Sequence, residues 1–400
     1  MRILVTDGDN RSALAAVRSL GQKGHRVYAA AENSRNLAAC SRHCFCGVAV
    51  PSALSDGSAY TKAVADFCRR ERIDFVFPMT EQSIYRLNQA RSQLPENTVL
   101  ACPPGDVMQA VSDKAGLFKL AQSIDVNMPK TFHVSGAAGL ESMIDKIDCF
   151  PVVIKPAFSR IAQGNGFLSG GVRYANNRSE LERIYAQSRV LQYPSLIQEK
   201  ISGPGAGLFT LYDKNRHLAV FSHQRLREKP PSGGVSVVCQ SIAPDREMTA
   251  AADRLLSAVG FAGVAMVEFK RDIRDGRAKL MEINGRFWGS LQLAIVCGVD
   301  FPGLYLDYLQ GKKPLPEPGG YRQGHKLKWF FGCLDHLIIR LKNSRSSLHL
   351  PEGEPSKFGA LLDFLKILEK DASFDVLSPN DPGPFVYEAV SYLRAMAAGK

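Results

Sequence analysis

A chain of 400 residues, 45% hydrophobic and 22% charged, has an ordinary globular balance and exceeds what one hydrophobic core serves, which excludes long-range disorder. Fifty Lys and Arg against 39 Asp and Glu leave a net charge of +11 and favour anionic partners: nucleotide phosphates, acidic metabolites, nucleic acid or anionic lipid. No run approaches the roughly 18 apolar residues of a membrane span, and Asp7 and Asp9 interrupt the only apolar start, so a cytoplasmic protein is expected.

The nine cysteines are odd in number and scattered, as expected of reduced thiols rather than a disulfide scaffold. Cys40, His43, Cys44 and Cys46 are the one group that brings zinc to mind. Their spacing is poor, and the segment runs into the strand-like Gly47-Val48-Ala49-Val50; thiols in a loop and a buried strand are the competing reading.

In chain order, Arg2 to Thr6 reads as a buried strand, Asp7-Gly8-Asp9 as a tight turn, and Leu14, Val17 and Leu20 as one face of a helix closed by Gly21 and Gly24. Residues 26–30 and 73–78 read as further strands and 60–70 as a helix, an alternation that predicts a parallel sheet with covering helices. Only Gly8 follows the first strand where a dinucleotide site needs three spaced glycines, so NAD binding is not expected. The segment instead reads as a support unit that lines a substrate cleft from Thr6 to Asn10 and from Thr80 to Gln82.

Ser112-Asp113 supplies a cap for a helix from Lys114 to about Ser123. Phe150 to Pro156 is an apolar strand carrying Lys155, an ammonium that needs a carboxylate, a phosphate or water. Gly164-Asn165-Gly166 and Gly170-Gly171 follow, a loop whose bare amides suit phosphate oxygens; a surface loop beside a snorkelling lysine is the alternative. Two later runs, 263–269 with Glu268 and 279–284 with Glu282 and Asn284, read as neighbouring strands joined at Arg274-Asp275-Gly276. Two carboxylates and an amide oxygen make a hard oxygen site suited to magnesium and a polyphosphate. If extended, His223 to Lys229 aligns His223, Arg225, Arg227 and Lys229 on one face, either to hold phosphate and an acidic substrate or as a solvated edge strand. Trp288 fits the floor of an acceptor pocket or a core position.

The order of Lys114, the Val-Ile-Lys strand, the glycine loop, Glu268 and Glu282-x-Asn284 resembles that of ATP-grasp enzymes over roughly residues 1 to 310, with the organisation of biotin carboxylase and carbamoyl phosphate synthetase and most similarity to carboxylate-amine ligase-like members. The resemblance implies an α/β and α+β fold. Residues 1–112 would form a Rossmann-like pre-ATP-grasp domain, 113–197 the small lobe, 198–318 the large lobe with the metal site, and 319–400 a mostly helical extension. It further implies that Lys114, Lys155, Gly164, Asn165 and Gly166 meet ATP phosphates, that Gln198, Glu199, Lys200 and Ile201 form the adenine edge, and that Glu268, Glu282 and Asn284 bind two magnesium ions, with manganese as the alternative. Arg286 would steady the phosphorylated carboxylate, assisted by Arg225 and Arg227.

Three departures stand out: no ribose-binding carboxylate in Ser202 to Gly207, Gly285 in place of a proline, and a longer glycine loop. The implied reaction joins a small carboxylate to an amine with release of ADP and phosphate. Alternatives are a carbamoyl phosphate synthetase-like reaction on bicarbonate and a non-catalytic ATP-binding scaffold; no nucleic-acid partner is expected. Apolar positions at helical spacing in 326–340 and 358–368 (Phe358, Leu361, Leu362, Leu365, Leu368) give each helix one face to bury, on its own protein or on a carrier protein or membrane surface. A homo-oligomer is expected.

Overall fold

The computed structural model describes all residues except 165, 232, 314–319, 346, 349, 351–354, 367–368 and 399–400. The N-terminal unit runs β1 (Arg2–Val5), α1 (Arg11–Gln22), β2 (Arg26–Ala31), β3 (Cys46–Ala49), α2 (Gly57–Glu71), β4 (Phe75–Phe77), α3 (Glu81–Gln89), β5 (Val99–Leu100), α4 (Gly105–Ser112) and α5 (Lys114–Ser123). Its five strands pair in parallel in the order β3-β2-β1-β4-β5. Ile3, Leu4 and Val5 are fully buried, as strands covered on both faces require. The order reverses between β1 and β4, where such sheets open a crevice. Asp7, at φ 58°, ties the two turns there together, its carboxylate accepting from Met79 N (3.2 Å), Thr80 Oγ1 (2.9 Å) and Ser83 Oγ (2.8 Å).

A second unit adds β6 (Thr131–Val134), α6 (Ala137–Glu141), β7 (Val152–Pro156), β8 (Arg160–Gln163), β9 (Gly166–Ser169), β10 (Arg173–Ala175), α7 (Arg178–Gln187) and β11 (Ser195–Glu199). Strands β10-β7-β11-β6 form an antiparallel sheet with its own core, including Val152, Ile154, Leu181 and Tyr185. The β8–β9 hairpin stands apart and leans on α3, where Phe167 meets the Tyr85 ring edge-on at 5.7 Å and lies 4.7 Å beneath the Arg86 guanidinium.

The remaining chain supplies β12 (Gly205–Asp213), β13 (Arg216–Lys229), β14 (Val235–Ile242), α8 (Arg246–Ala258), β15 (Ala262–Arg271), β16 (Ala278–Asn284), α9 (Leu291–Val296), α10 (Phe301–Leu309), β17 (Lys326–Lys328), α11 (Phe330–Lys342), α12 (Lys357–Leu365), β18 (Ala372–Phe374) and α13 (Gly383–Ala397). Seven strands make one sheet, β16-β15-β12-β13-β14-β17-β18. The helical reading from Lys326 is corrected over its first residues. Lys326, Leu327 and Lys328 pair with Gln240, Cys239 and Val238, so ladder bonding overrides the helical spacing and the helix begins at Phe330. The stripe expected on α12 is likewise not packed: Phe358, Leu362 and Leu365 are exposed, Phe364 instead meets Phe330 at 6.1 Å, and Leu368 lies outside the described residues.

The C-terminal residues fold back on the N-terminal unit. Arg18 Nε donates to Asp381 Oδ2 at 2.8 Å, and its terminal nitrogens donate to the carbonyls of Asp375 (2.9 Å) and Val376 (2.8 Å). Ser41 Oγ donates to the same Asp381 oxygen at 2.7 Å. No helix among the described residues is long and apolar enough to cross a membrane. Because Arg18 and Asp381 are both buried, the substitution D381N is expected to lower unfolding free energy by about 3 kcal/mol. Denaturant titration measures it, and limited proteolysis should then cut first within the C-terminal residues.

Candidate active site

A cleft of about 540 Å³ lies between the sheet carrying β7 and β11 and the strands β13, β15 and β16. Lys155 lines it from near the C-terminal end of β7, where its strand partner is Leu196 of β11. Removal from water pushes the Lys155 ammonium down to about 8; Glu282 opposes this and Lys114 adds to it. Asp113 caps α5 by accepting from Ala115 N at 2.9 Å, which fixes Lys114 at the first position of the helix. From there Lys114 Nζ donates to Ser159 Oγ at 2.8 Å and stands 3.5 Å from Glu282 Oε2.

On the facing wall Glu268 of β15 and Glu282 of β16 are direct register partners. The next pair is Phe269 with Leu280, so Met281 is an extra residue, and this bulge leaves both Met281 and Glu282 lining the cleft. Asn284 Nδ2 donates to Glu282 Oε1 at 3.0 Å, and Arg286 Nη2 donates to Asn284 Oδ1 at 3.1 Å. Arg225 Nη2 contacts Glu268 Oε2 at 2.5 Å, and its Nη1 reaches Glu228 Oε1 at 2.9 Å. Desolvation raises the Glu268 carboxyl above its ordinary range despite Arg225. For Glu282 the same desolvation is overcome by Lys114, the Asn284 amide, Lys155 and Arg286, which hold it below the ordinary range and ionised.

Glu268, Glu282 and Asn284 form a donor set of two carboxylates and one amide oxygen, the hard ligands that magnesium prefers. The carboxylates here are neutralised by Arg225, Lys114 and Lys155, so positive charge already sits where a divalent cation would be welcome. Among the described residues no group of three or more His, Cys, Asp or Glu side chains gathers, so Cys40, His43, Cys44 and Cys46 do not converge; Cys44 Sγ instead donates to Val27 O at 3.5 Å.

Gln198, Glu199, Lys200 and Ile201 form one edge of the cleft at the end of β11. Gln198 is fully buried, its Nε2 donating to Thr131 Oγ1 at 2.9 Å. The Glu199 carboxylate is occupied outside the cleft, accepting from Lys130 N (3.0 Å) and Arg274 Nη2 (2.9 Å).

A second chamber of about 510 Å³ adjoins the first and shares Lys114, Glu282, Asn284 and Arg286 with it. Asn10 and Thr80 to Gln82 line it from the N-terminal unit, whereas Thr6 is buried and the Asp7 carboxylate faces the turn before α3.

Several expected positions differ. Gly164, at φ 53°, and Gly166 sit at the tip of the β8–β9 hairpin, which lies against α3, and neither lines the cleft; Asn165 is outside the described residues. Gly170 and Gly171, at the hairpin base, do line it. The row from His223 to Lys229 is not on one face, because register shifts at Arg227 break the alternation of β13. Arg225 and Glu228 enter the cleft, while Arg227 pairs with Asp363 at 2.8 Å and Lys229 pairs with Asp335. His223 is buried against Phe209 at 4.5 Å, and desolvation, with Arg225 nearby, pushes it down to about 3. Trp288 is a core aromatic packed on Phe209 and Phe301 whose edge reaches the cleft.

Sequence reasoning missed Ser159, Glu228, Lys270 and Arg11, all of which line the cleft. Lys270 was legible as the residue two beyond Glu268 on one strand face. Glu228 and Arg11 carried no such signal, since a bulge and a distant contact bring them in.

Residues 210–330 match the family model described as ATP-grasp in the biosynthetic pathway with Ter operon. A curated relative, acetyl-CoA carboxylase 2 of Oryza sativa subsp. japonica, is 24% identical over 281 residues, which are 60% of this chain and 11% of the relative; the chain thus spans about a tenth of that protein. A biotin carboxylase from Campylobacter jejuni, in a beta-gamma-ATP complex, superposes with a TM-score of 0.63 at 16% identity over 81% of this chain and 74% of that one. An L-amino acid ligase from Bacillus licheniformis gives 0.59 at 21% identity over 81% and 78%. The chain thus has the fold of these solved structures, and its residues 210–330 resemble an ATP-grasp family.

The depressed Lys155 has a direct consequence for anion binding. Its charged form is lost as pH rises through about 8, so on the proposal below that Lys155 meets ATP phosphates, affinity for Mg-ATP should fall above that pH with the loss of one proton. Calorimetric titrations between pH 7 and 9.5 check this, and K155R, whose guanidinium stays charged, should flatten the profile.

Proposed function

We propose that the chain is an ATP- and magnesium-dependent ligase that activates a small carboxylate as an acyl phosphate and joins it to an amine, releasing ADP and phosphate. One observation carries the reading: Glu268 and Glu282 face each other across β15 and β16 with Lys114 and Lys155 on the opposing wall, and this charged floor continues through Arg286 into a second chamber. The first cleft suits a nucleotide and the second the group that receives its phosphoryl.

In this reading the adenine lies along Gln198 to Ile201, with Met281 offering an apolar contact from the bulge. Glu228, which lines the same cleft beside Gly205 and Gly233, takes the ribose-side place that Ser202 to Gly207 leaves without a carboxylate. Lys114 and Lys155 meet phosphate oxygens, whose negative charge strengthens the hold of Lys155 on its proton. Magnesium held by Glu268, Glu282 and Asn284 would supply Lewis-acid charge to the phosphates.

The carboxylate oxygen of the acid attacks the γ-phosphorus, and the bond to the bridging oxygen breaks as ADP departs. The amine then attacks the acyl carbon, phosphate leaves with the bonding pair, and the nitrogen loses its proton. Arg286 is held by the Asn284 amide and the Phe287 carbonyl (3.0 Å), neither of which neutralises it, so its charge is available to the acyl phosphate oxygens. No covalent enzyme residue is needed.

Incubation with Mg-ATP, hydroxylamine and pooled carboxylic acids should produce hydroxamates together with ADP. E282A is expected to reduce turnover by about a hundredfold or more by removing a metal ligand and a counter-charge for the lysines, with unchanged circular dichroism. ATP binding without ADP release under any acid and amine, or full activity of E282A, would overturn the reading.

A further inference from the structure

Helix α1 opens at the rim of the second chamber, and its first residue, Arg11, lines both that chamber and the nucleotide cleft. The Arg11 guanidinium is held by residues more than 300 positions away in the chain. Its Nη1 donates to Asp375 Oδ2 at 2.5 Å, with 11% and 1% of the two side chains exposed, and its Cζ lies 4.2 Å from the ring centre of Trp329. Trp329 is itself fixed by donating from Nε1 to Glu388 Oε1 at 2.8 Å. Asp375 reaches this place because β18 pairs with β17 and the Asp375 amide donates to Lys328 O at 3.0 Å.

The other end of the guanidinium faces Gly289, where a Cβ would lie 3.2 Å from Arg11 Nη2. Among the described residues only Nη1 has a hydrogen-bond acceptor. Nothing in the first turn of α1 competes for it: that turn carries no acidic residue, and the Asn10 side chain makes no capping bond. Arg11, Lys114, Arg160 and Arg286 line the chamber against Glu81 and Glu282, so its balance favours an anion. An arginine with one arm locked in a nearly buried ion pair and the other open to a cavity is a preorganised donor for a carboxylate, since little side-chain entropy remains to be lost on binding.

We propose that Arg11 binds a carboxylate of the substrate that occupies the second chamber, and that Asp375, from the C-terminal residues, is its positioning residue. The C-terminal residues would thereby take part in substrate selection. This rests on reading the second chamber as the substrate side of the ligase.

The test uses the full chain saturated with magnesium and the non-hydrolysable β,γ-imido analogue of ATP, titrated separately with succinate and with inorganic phosphate. The sequence has two tryptophans, so in a W288F background Trp329, under Arg11, is the only emission reporter, and calorimetry gives a second reading. Succinate should bind saturably, R11Q should weaken it by about tenfold or more, and R11K should recover part of that loss. D375N should weaken succinate several-fold with nucleotide affinity retained, and D375E should restore it; a merely structural role would move nucleotide affinity and melting temperature together with succinate. Equal succinate affinity in R11Q and wild type, no saturable response in wild type, or a response to phosphate alone overturns the assignment, and D375N indistinguishable from wild type overturns the positioning role. Hydroxamate and ADP formation, assayed on the same preparations, report separately on the ligase reading.

Discussion

The structure depends on keeping two carboxylates ionisable at close quarters in the wall of a cleft. Glu268 and Glu282 are register partners, and like charges opposite one another on adjoining strands destabilise a sheet unless something compensates. The compensation comes from two other strands, a helix and the segment after β16: Arg225 from β13, Lys155 from β7, Lys114 from the start of α5, and Arg286 just beyond β16 through Asn284. The two sheets that face each other across the cleft are thus connected electrostatically by the groups proposed above to bind a nucleotide. Desolvation acts on both glutamates, and their opposite displacements follow from this unequal sharing of cations; the weakened hold of Lys155 on its proton comes first from its removal from water.

Local irregularities in the large sheet convert this scaffold into a site. The bulge at Met281 puts two successive residues of β16 on the cleft side, and the register shifts around Arg227 send Arg225 and Glu228 inward while Arg227 and Lys229 turn to Asp363 and Asp335. A regular strand would have placed four cationic or ionisable side chains on one face. The shifted strand keeps one arginine and one glutamate there and spends the remaining charges on anchoring α11 and α12.

The C-terminal residues are joined to the rest by more than apolar packing. Strands β17 and β18 complete the edge of the large sheet, Arg18 is enclosed by Asp381 and two carbonyls, and Arg11 is enclosed by Asp375 and Trp329. These contacts reach across nearly the whole chain and make the first helix, at the rim of the second chamber, dependent on residues after 370.

What the sequence determined by itself is local and periodic: the alternating strands and helices of the first hundred residues, the Asp113 cap before Lys114, the apolar strand around Lys155, and Glu282 with Asn284 one period apart on a strand. Each follows from side-chain alternation, helical spacing or capping, which act over a few residues. The ATP-grasp fold was legible from the order of these pieces. Tertiary structure decided where irregular or distant segments point. The glycine hairpin leans on α3 because Phe167 finds Tyr85 and Arg86; β17 replaces a helical turn because β14 offers it a ladder; Arg227 leaves the cleft because its strand is bulged; and Arg11 enters the site because Asp375 meets it there. Register shifts and contacts between residues hundreds of positions apart have no short-range pattern, since their energy belongs to partners brought together only by folding.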